Sequence, residues 1–213
     1  VLREGAFHGE THIVTGAAQG IGKAVTTALA ATGAIHGLVN VGGITRDARI
    51  PKKSYADFQL VMAVHVHGTF LFTREVAAQH WHPLFKANGK QPLRDGANRW
   101  IANFSSVSSR NGNVGQIDYT AAKGAIEAAT RTTAREFFGC GARVNAIAPG
   151  PVDTPMLAGV GEAGIRLMAA ATLPGRIAKP EEMAAAVCAL ADPRISGYAA
   201  GQVFQVDGGL YLA

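Results

Sequence analysis

Short apolar runs alternate along the chain with longer stretches of helical periodicity. His12–Thr15 is brief and β-branched, as a buried strand is. Beyond it Ile21, Val25, Ala28, Leu29 and Thr32 recur at spacings of three and four. That spacing places them on one helical face, and Gly33 stands where such a helix stops. Gly37–Val41 predicts a second buried strand, and a helical segment follows from Tyr55 to His82. Residues 82–99 are polar and hold Pro83, Gly89, Pro92 and Gly96, so the pattern predicts a surface loop. Trp100–Phe104 predicts a third strand, and Tyr119–Phe138 a long Ala-rich helix. Ala142–Ile147 predicts a fourth strand, leading to Pro149-Gly150. Pro180–Ala191 opens with Pro-Glu-Glu, which suits a helix start because proline needs no N–H there and carboxylates favour the positive end of the dipole. Gln202–Val206 predicts the last strand. Strands alternating with helices imply an α/β fold, a doubly wound parallel sheet with helices on both faces. No repeat or linker divides the chain, so residues 1–213 read as a single domain.

Composition supports this and excludes other classes. Hydrophobic residues make up 48% and charged residues 16%, with 26 glycines; disorder requires the opposite balance. The 20 basic and 15 acidic residues leave a net charge of +5. That raises the question of an acidic partner. No run of basic residues appears, so scattered surface charge accounts for it and no nucleic acid is expected. Ala24–Thr45 lacks charged residues and is as long as a membrane span of ~20 residues. It contains four Gly, four Thr, an Asn and a His, so no membrane span is expected. No basic-then-apolar leader opens the chain. Cys140 and Cys188 lie outside any metal-ligand spacing and fit buried positions in a reducing compartment. A cytoplasmic protein without a metal is expected.

Two features carry candidate chemistry. The first is the turn TG-x3-G-x-G between the first strand and its helix, with Thr15, Gly16, Gln19, Gly20, Ile21 and Gly22. Small residues let a backbone approach a pyrophosphate, and the helix N-terminus offers free N–H groups. A structural turn would use glycines too; the strand before and the amphipathic helix after favour a dinucleotide. In such folds an acidic residue or Arg meets the adenosine ribose about 20 residues beyond the turn. Here no Asp or Glu occurs between Gly22 and Asp47.

The second feature is Tyr119 followed four residues later by Lys123, with Ser106 upstream. On a helix the pair shares one face. A nearby ammonium favours phenolate and would lower the tyrosine pKa, making Tyr119 a usable acid or base. A hydroxyl at Ser106 could hold the substrate oxygen meanwhile. The motif alone could be an exposed helix pair; its co-occurrence with the glycine turn, in this order, argues for a site.

Four stretches together resemble the classical short-chain dehydrogenase/reductase family over nearly the whole chain. They are TGAAQGIG (Thr15–Gly22), SSVSSRNGNVGQIDYTAAK (Ser105–Lys123), VNAIAPGPVDTPM (Val144–Met156) and VFQVDGGLY (Val203–Tyr211). Within the family they are most similar to 3-oxoacyl-(acyl-carrier-protein) reductases and 3-hydroxyacyl thioester dehydrogenases. The resemblance implies a Rossmann fold with a seven-stranded parallel sheet, NAD or NADP as cofactor, and hydride transfer to or from an alcohol or ketone carbon. It implies that Ser106 polarises the carbonyl, that Tyr119 exchanges the proton, and that Lys123 lowers the Tyr119 pKa and bonds the nicotinamide ribose. Pro149 and Gly150 would shape the nicotinamide pocket, Val152 and Thr154 would contact its carboxamide, and Asn40, Gly42 and Gly43 would border the cofactor. A homotetramer paired through the long Tyr119–Phe138 helix and its neighbour is also implied. Gln19 stands where NADP-preferring reductases often carry a basic residue, which leans toward NAD.

The chain departs from the family twice in its motifs. The usual Asn-Asn-Ala-Gly reads Asn40-Val41-Gly42-Gly43, and the usual helix Asn, three residues before Gly68-Thr69-Phe70, is His65. His65 could fill the core, support Lys123 or relay its proton. The leading expectation is an oxidoreductase of a 3-oxoacyl or 3-hydroxyacyl thioester, with an apolar substrate lid at 157–173. A dehydrogenase of a sugar, polyol or steroid alcohol is the alternative, and a non-catalytic cofactor- or nucleic-acid-binding protein on the same fold is the third.

A third departure is one of length. Strand 1 leads through one helix to residues that already match the family's fourth strand. Strands 2 and 3 with their helices, roughly 40–45 residues, are missing between Ala34 and Ile35. The expectation is that these residues exist and were closed up in the numbering, which a long Ala34–Ile35 separation would show. A continuous chain would leave strand 1 as an open edge.

Overall fold

Alternation within the strands explains how one sheet builds two cores. In β2 (Ile35–Asn40) Leu38 and Val39 point to opposite faces and both are fully buried. In β3 (Arg99–Phe104) every residue is buried. Trp100, Ala102 and Phe104 join one cluster with Val39, Ile147, Met183 and Val187, while Ile101 joins the other with Leu38, Val144, Val76 and Trp81. A sheet covered on both sides needs apolar residues at both parities, which is why these strands read as continuous apolar runs.

The computed structural model describes Phe7, residues 9–28 and residues 35–212. In it, β1 (Thr11–Val14), β2, β3, β4 (Ala142–Pro149) and β5 (Val203–Val206) form a parallel sheet in sequence order. Among the described residues the sheet has five strands rather than seven, and β1 is its edge. The sheet pairs β1 directly with β2, which follows the Ala34–Ile35 position at which two strands were expected. The Ala34–Ile35 junction, like Leu29, Thr32 and Gly33, lies outside the described residues.

Helix α1 (Gly20–Ala28) packs with α8 (Pro180–Ala191) on one face of the sheet. A continuous helical rod covers part of the other face. It comprises α2 (Tyr55–Met62), a π-helical turn at Ala63–His67, α3 (Gly68–Val76), a second π-helical turn at Ala77–Trp81, and α4 (His82–Ala87). Ser54 caps its start by accepting from Asp57 N–H at 3.0 Å. The expected loop at 82–99 therefore begins only after Ala87. Pro83 falls in the first turn of α4, directly after a π turn whose bonds already skip the usual i−4 carbonyl, so the ring does not stop the rod. The remaining helices are α5 (Ser108–Asn111), α6 (Ile117–Phe137), α7 (Gly161–Ala170) and α9 (Pro193–Ser196). No helix among the described residues is long and apolar enough to cross a membrane.

Candidate active site at the carboxyl ends of the strands

The loops leaving β1 to β4 at their carboxyl ends surround a cavity of about 680 Å³, within the usual range for ligand pockets. Every sequence-predicted site residue except Thr15 and Asn40 lines it. Thr15 instead pins the loop after β2, its hydroxyl accepting from Val41 N–H at 3.0 Å and Gly42 N–H at 3.1 Å. Asn40 lies below the floor, donating to Asn103 Oδ1 at 2.9 Å and Thr73 Oγ1 at 3.3 Å. The Thr15 hydroxyl and the Asn40 amide N–H groups hold strand ends, while Asn40 Oδ1 is buried without a partner among the described residues.

The glycine turn forms one end of the cavity. Gly16 has φ +68°, and a Cβ there would stand 2.8 Å from Gly42 Cα. The two loops thus meet backbone to backbone, and the wall they present is main chain at the start of α1, the surface a pyrophosphate requires. At the other end, Ser105 N–H donates to Ile147 O at 2.8 Å and Val107 N–H to Pro149 O at 3.1 Å. These bonds prolong the β3–β4 pairing and hold Ser106 beside Pro149-Gly150. The glycine turn and the Ser106 turn thus face one cavity from its two ends. The sequence from Ala24 to Thr45 contains no charged side chain for an adenosine ribose.

Helix α6 delivers Tyr119 and Lys123. Its first turn is locked by the Asp118 carboxylate, 2.8 Å from Lys53 Nζ with both side chains buried. The Ser106 hydroxyl is 2.8 Å from Ser108 Oγ and accepts from Ser108 N–H at 3.2 Å, and it lies near enough to the Tyr119 phenol to favour the phenolate. Lys123 Nζ donates to Phe104 O at 2.7 Å and lies 5.4 Å from the Tyr119 ring centroid. Loss of water holds Lys123 down to about 7. The expected lowering of Tyr119 is not what the protein alone produces: burial raises its pKa, the Ser106 hydroxyl works against that, and the Asp47 carboxylate raises it further. A lysine whose own charge is disfavoured by burial, and whose ammonium is turned to a carbonyl, has little hold on the phenol.

His65 sits on the first π-helical turn, 1% exposed, edge-on to Tyr119 with ring centroids 5.3 Å apart. Its Nε2 either donates to Ile44 O at 2.8 Å or accepts from Ile44 N–H at 3.0 Å. Nδ1 has no partner among the described residues. Burial, and then the Lys123 charge, push the imidazole down to about 4. A Cβ at residue 43 would lie 2.3 Å from His65 Cε1, so Gly43 is the residue that admits the ring.

Sequence reasoning missed the far wall's polar group. Gln116 donates to both Asp47 oxygens at 3.0 Å, and Asn113 donates to Gln116 at 2.9 Å. Asp47 and Gln116 are 69 residues apart, so no spacing pattern could join them. Opposite stand Met156, Leu157, Val160, Leu167 and Met168, most of them in the stretch read as a lid.

Comparisons with known proteins agree with the geometry. The family model described as Enoyl-(Acyl carrier protein) reductase matches residues 16–211. The chain is 40% identical to the short-chain reductase protein NovJ of Streptomyces niveus, over 90% of this chain and 70% of that one. It is 30% identical to a 3-oxoacyl-(acyl-carrier-protein) reductase of Synechocystis sp. over 97% of this chain and 99% of the other. That alignment runs over 261 residues, more than the 213 present here, so the relative contains segments this chain lacks. Among solved structures, a candidate 2-deoxy-d-gluconate 3-dehydrogenase of Agrobacterium tumefaciens with bound NADP superimposes with a TM-score of 0.82 at 25% identity, covering 95% of this chain and 96% of that one. With a family model matched from Gly16 to Tyr211 and a named short-chain reductase at 40% identity, the chain belongs to the short-chain dehydrogenase/reductase family of nicotinamide-dependent oxidoreductases.

Proposed function

We propose that this enzyme interconverts a 3-oxoacyl and a 3-hydroxyacyl thioester. The observation that carries the reading is the cavity itself, lined by Ser106 and Tyr119 and by an apolar stretch from Met156 to Met168. When bound, a nicotinamide cofactor supplies or accepts the hydride. Gly16, Gln19, Gly20, Ile21 and Gly22 would hold its pyrophosphate, and Pro149, Gly150, Val152 and Thr154 the nicotinamide, with Gly42 and Gly43 alongside. Ser106 donates to the substrate oxygen and orients it. Tyr119 gives its phenolic proton to that oxygen in reduction and takes one from the alcohol in oxidation. A phenol kept protonated by burial and by Asp47 is the form reduction needs. Lys123 would bond the nicotinamide ribose. His65, its Nε2 fastened to Ile44, presents the unpaired Nδ1 as support for the Tyr119–Lys123 pair. NAD is favoured over NADP by Gln19.

A second reading rests on the polar wall. Asp47, Asn113 and Gln116 offer acceptors and donors suited to a polyol or sugar acid, the class named for the Agrobacterium neighbour. Nicotinamide absorbance with an acetoacetyl thioester and with a gluconate-type substrate decides between them. Turnover of the thioester at least about tenfold better in kcat/KM supports the first reading; the reverse ratio replaces it with the second, and no turnover of either removes both.

The working form is a homotetramer in a reducing, cytoplasmic setting. Phe70, Leu71 and Phe72 are exposed on α3, and Ala121, Ala128 and Ala129 on α6, which permits close helix approach between copies. Both cysteines are buried and free. Light scattering at micromolar concentration should give four times the chain mass; a monomer mass contradicts the assembly.

A further inference from the structure

Glu127 follows Lys123 by four residues and Tyr119 by eight, so all three stand on one face of α6. Its side chain is 9% exposed and does not line the cavity. Instead it reaches the strand-end turn that carries Ser106. Ser105 Oγ donates to Glu127 Oε1 at 2.8 Å, Ser109 Oγ approaches the same oxygen at 2.6 Å, and the Arg110 guanidinium lies 3.7 Å from Oε2. The Ser109 hydroxyl also stands 2.6 Å from Ser106 O, so one hydroxyl is shared between the carboxylate and the serine's own backbone. The residues on both flanks of Ser106 are thereby tied to the helix that bears Tyr119.

We propose that Glu127 is a positioning residue for Ser106. A buried carboxylate is costly unless it is hydrogen-bonded and paired, and here its partners come from the turn whose placement the chemistry needs. The Ser106 hydroxyl must meet both the Tyr119 hydroxyl and a substrate oxygen. Each is a contact of about 3 Å, and a displacement of 1 Å can cost about 10²-fold in rate. The β3–β4 backbone bonds fix the height of the turn above the sheet; Glu127 fixes its distance from α6. This inference rests on the proposed role of Ser106.

The test is a double-mutant cycle on the intact protein, with the thioester or alcohol that the wild type turns over. Glu127→Leu should lower kcat about 10–100-fold while nicotinamide binding, read by fluorescence titration, stays near wild type. Glu127→Gln, which keeps an acceptor for the serine hydroxyls, should recover most of the loss. In a Ser106→Ala background Glu127→Leu should cost nothing further, because the group it positions is gone; a merely structural role would repeat the loss in both backgrounds. If Glu127→Leu does not fold, the Ser105→Ala/Ser109→Ala pair takes its place in the cycle with the same expectation. Full kcat in the single variant, or an equal loss in both backgrounds, overturns the proposal. A wild type indifferent to Ser106→Ala overturns the reading of Ser106 first, and this inference with it.

Discussion

The two ends of the sheet treat their cations in opposite ways, the half-buried Arg143 at one and the buried Lys123 at the other. At the amino end, Arg143 on β4 donates to the carbonyls of Leu190 and Ala191, to Asn98 Oδ1 and to Ser196. Its fork is filled by the protein, and it joins β4 to the end of α8 and to α9. At the carboxyl end, Lys123 has three N–H groups and one acceptor, Phe104 O, among the described residues. The histidines do not follow this contrast: both ring nitrogens of His12, and Nδ1 of His65, lack a hydrogen-bond partner among the described residues. His12, packed between Phe7 and Trp100 at the amino end, and His65, beside Tyr119, are both pushed down to about 4 by burial. A depressed pKa alone therefore does not mark the site. What marks it is unused hydrogen-bonding capacity turned toward a cavity.

The sharpest way to test that contrast is at the group assigned to proton transfer. Tyr119→Phe should lower kcat by about 10²–10⁴-fold and leave nicotinamide binding nearly unchanged in a fluorescence titration. Retention of more than about a tenth of wild-type kcat would take the proton-transfer role away from Tyr119.

Acidification should weaken both ends. Each imidazole folds as the neutral ring, with its pKa below the ordinary 6.5. The stability this allows is complete above pH 6.5 and is lost as pH falls through 4, about 3 kcal/mol per ring. Urea midpoints between pH 7.5 and 4 measure it. His12→Leu should flatten the curve without changing kcat, whereas His65→Asn should flatten it and alter turnover. Equal effects on turnover would erase the distinction between the two ends.

Arg143→Leu removes the charged hydrogen bonds that tie β4 to the Leu190 and Ala191 carbonyls, which keep one donor each, from Ser196 and Asn98. It should cost about 2–3 kcal/mol in chemical denaturation and leave kcat per folded molecule as it was. A fall in kcat with unchanged stability would mean that the amino end takes part in the chemistry.

The smallest effect divides the carboxyl end itself. No charged residue between Lys23 and Arg46 is available to read the ribose 2′ position. NADH should bind more tightly than NADPH by less than about tenfold, ~1.4 kcal/mol. A preference above about 100-fold, by calorimetry, would require a contact on the β1 side that these residues do not provide.

The five strands and most of the helices were legible in the sequence, because burial on both faces and a helical period leave direct traces in residue order. The glycine turn, Ser106, Tyr119 and Lys123 were legible for a related reason: each depends on fixed local spacing beside a strand or along one helix. The continuation of the rod through Pro83 was hidden, since π-helical turns have no pattern of their own. The raised pKa of Tyr119 was hidden too, because spacing brings Lys123 near but says nothing of how far water is excluded or which acceptor the ammonium takes.

By itself, then, the sequence determined what short-range geometry controls: a parallel α/β sheet lacking one strand-rich segment, a turn open to phosphate, and a tyrosine and lysine on one helical face. Tertiary structure alone decided which polar groups remained available. Thr15 and Asn40 were drawn into holding strand ends, Gly43 made room for the His65 ring, and Glu127 met two serines from another element. These outcomes depend on distances between residues 18 to 63 positions apart along the chain. Only packing sets those distances, because a side chain's partners are chosen by what the fold brings within about 3 Å of it.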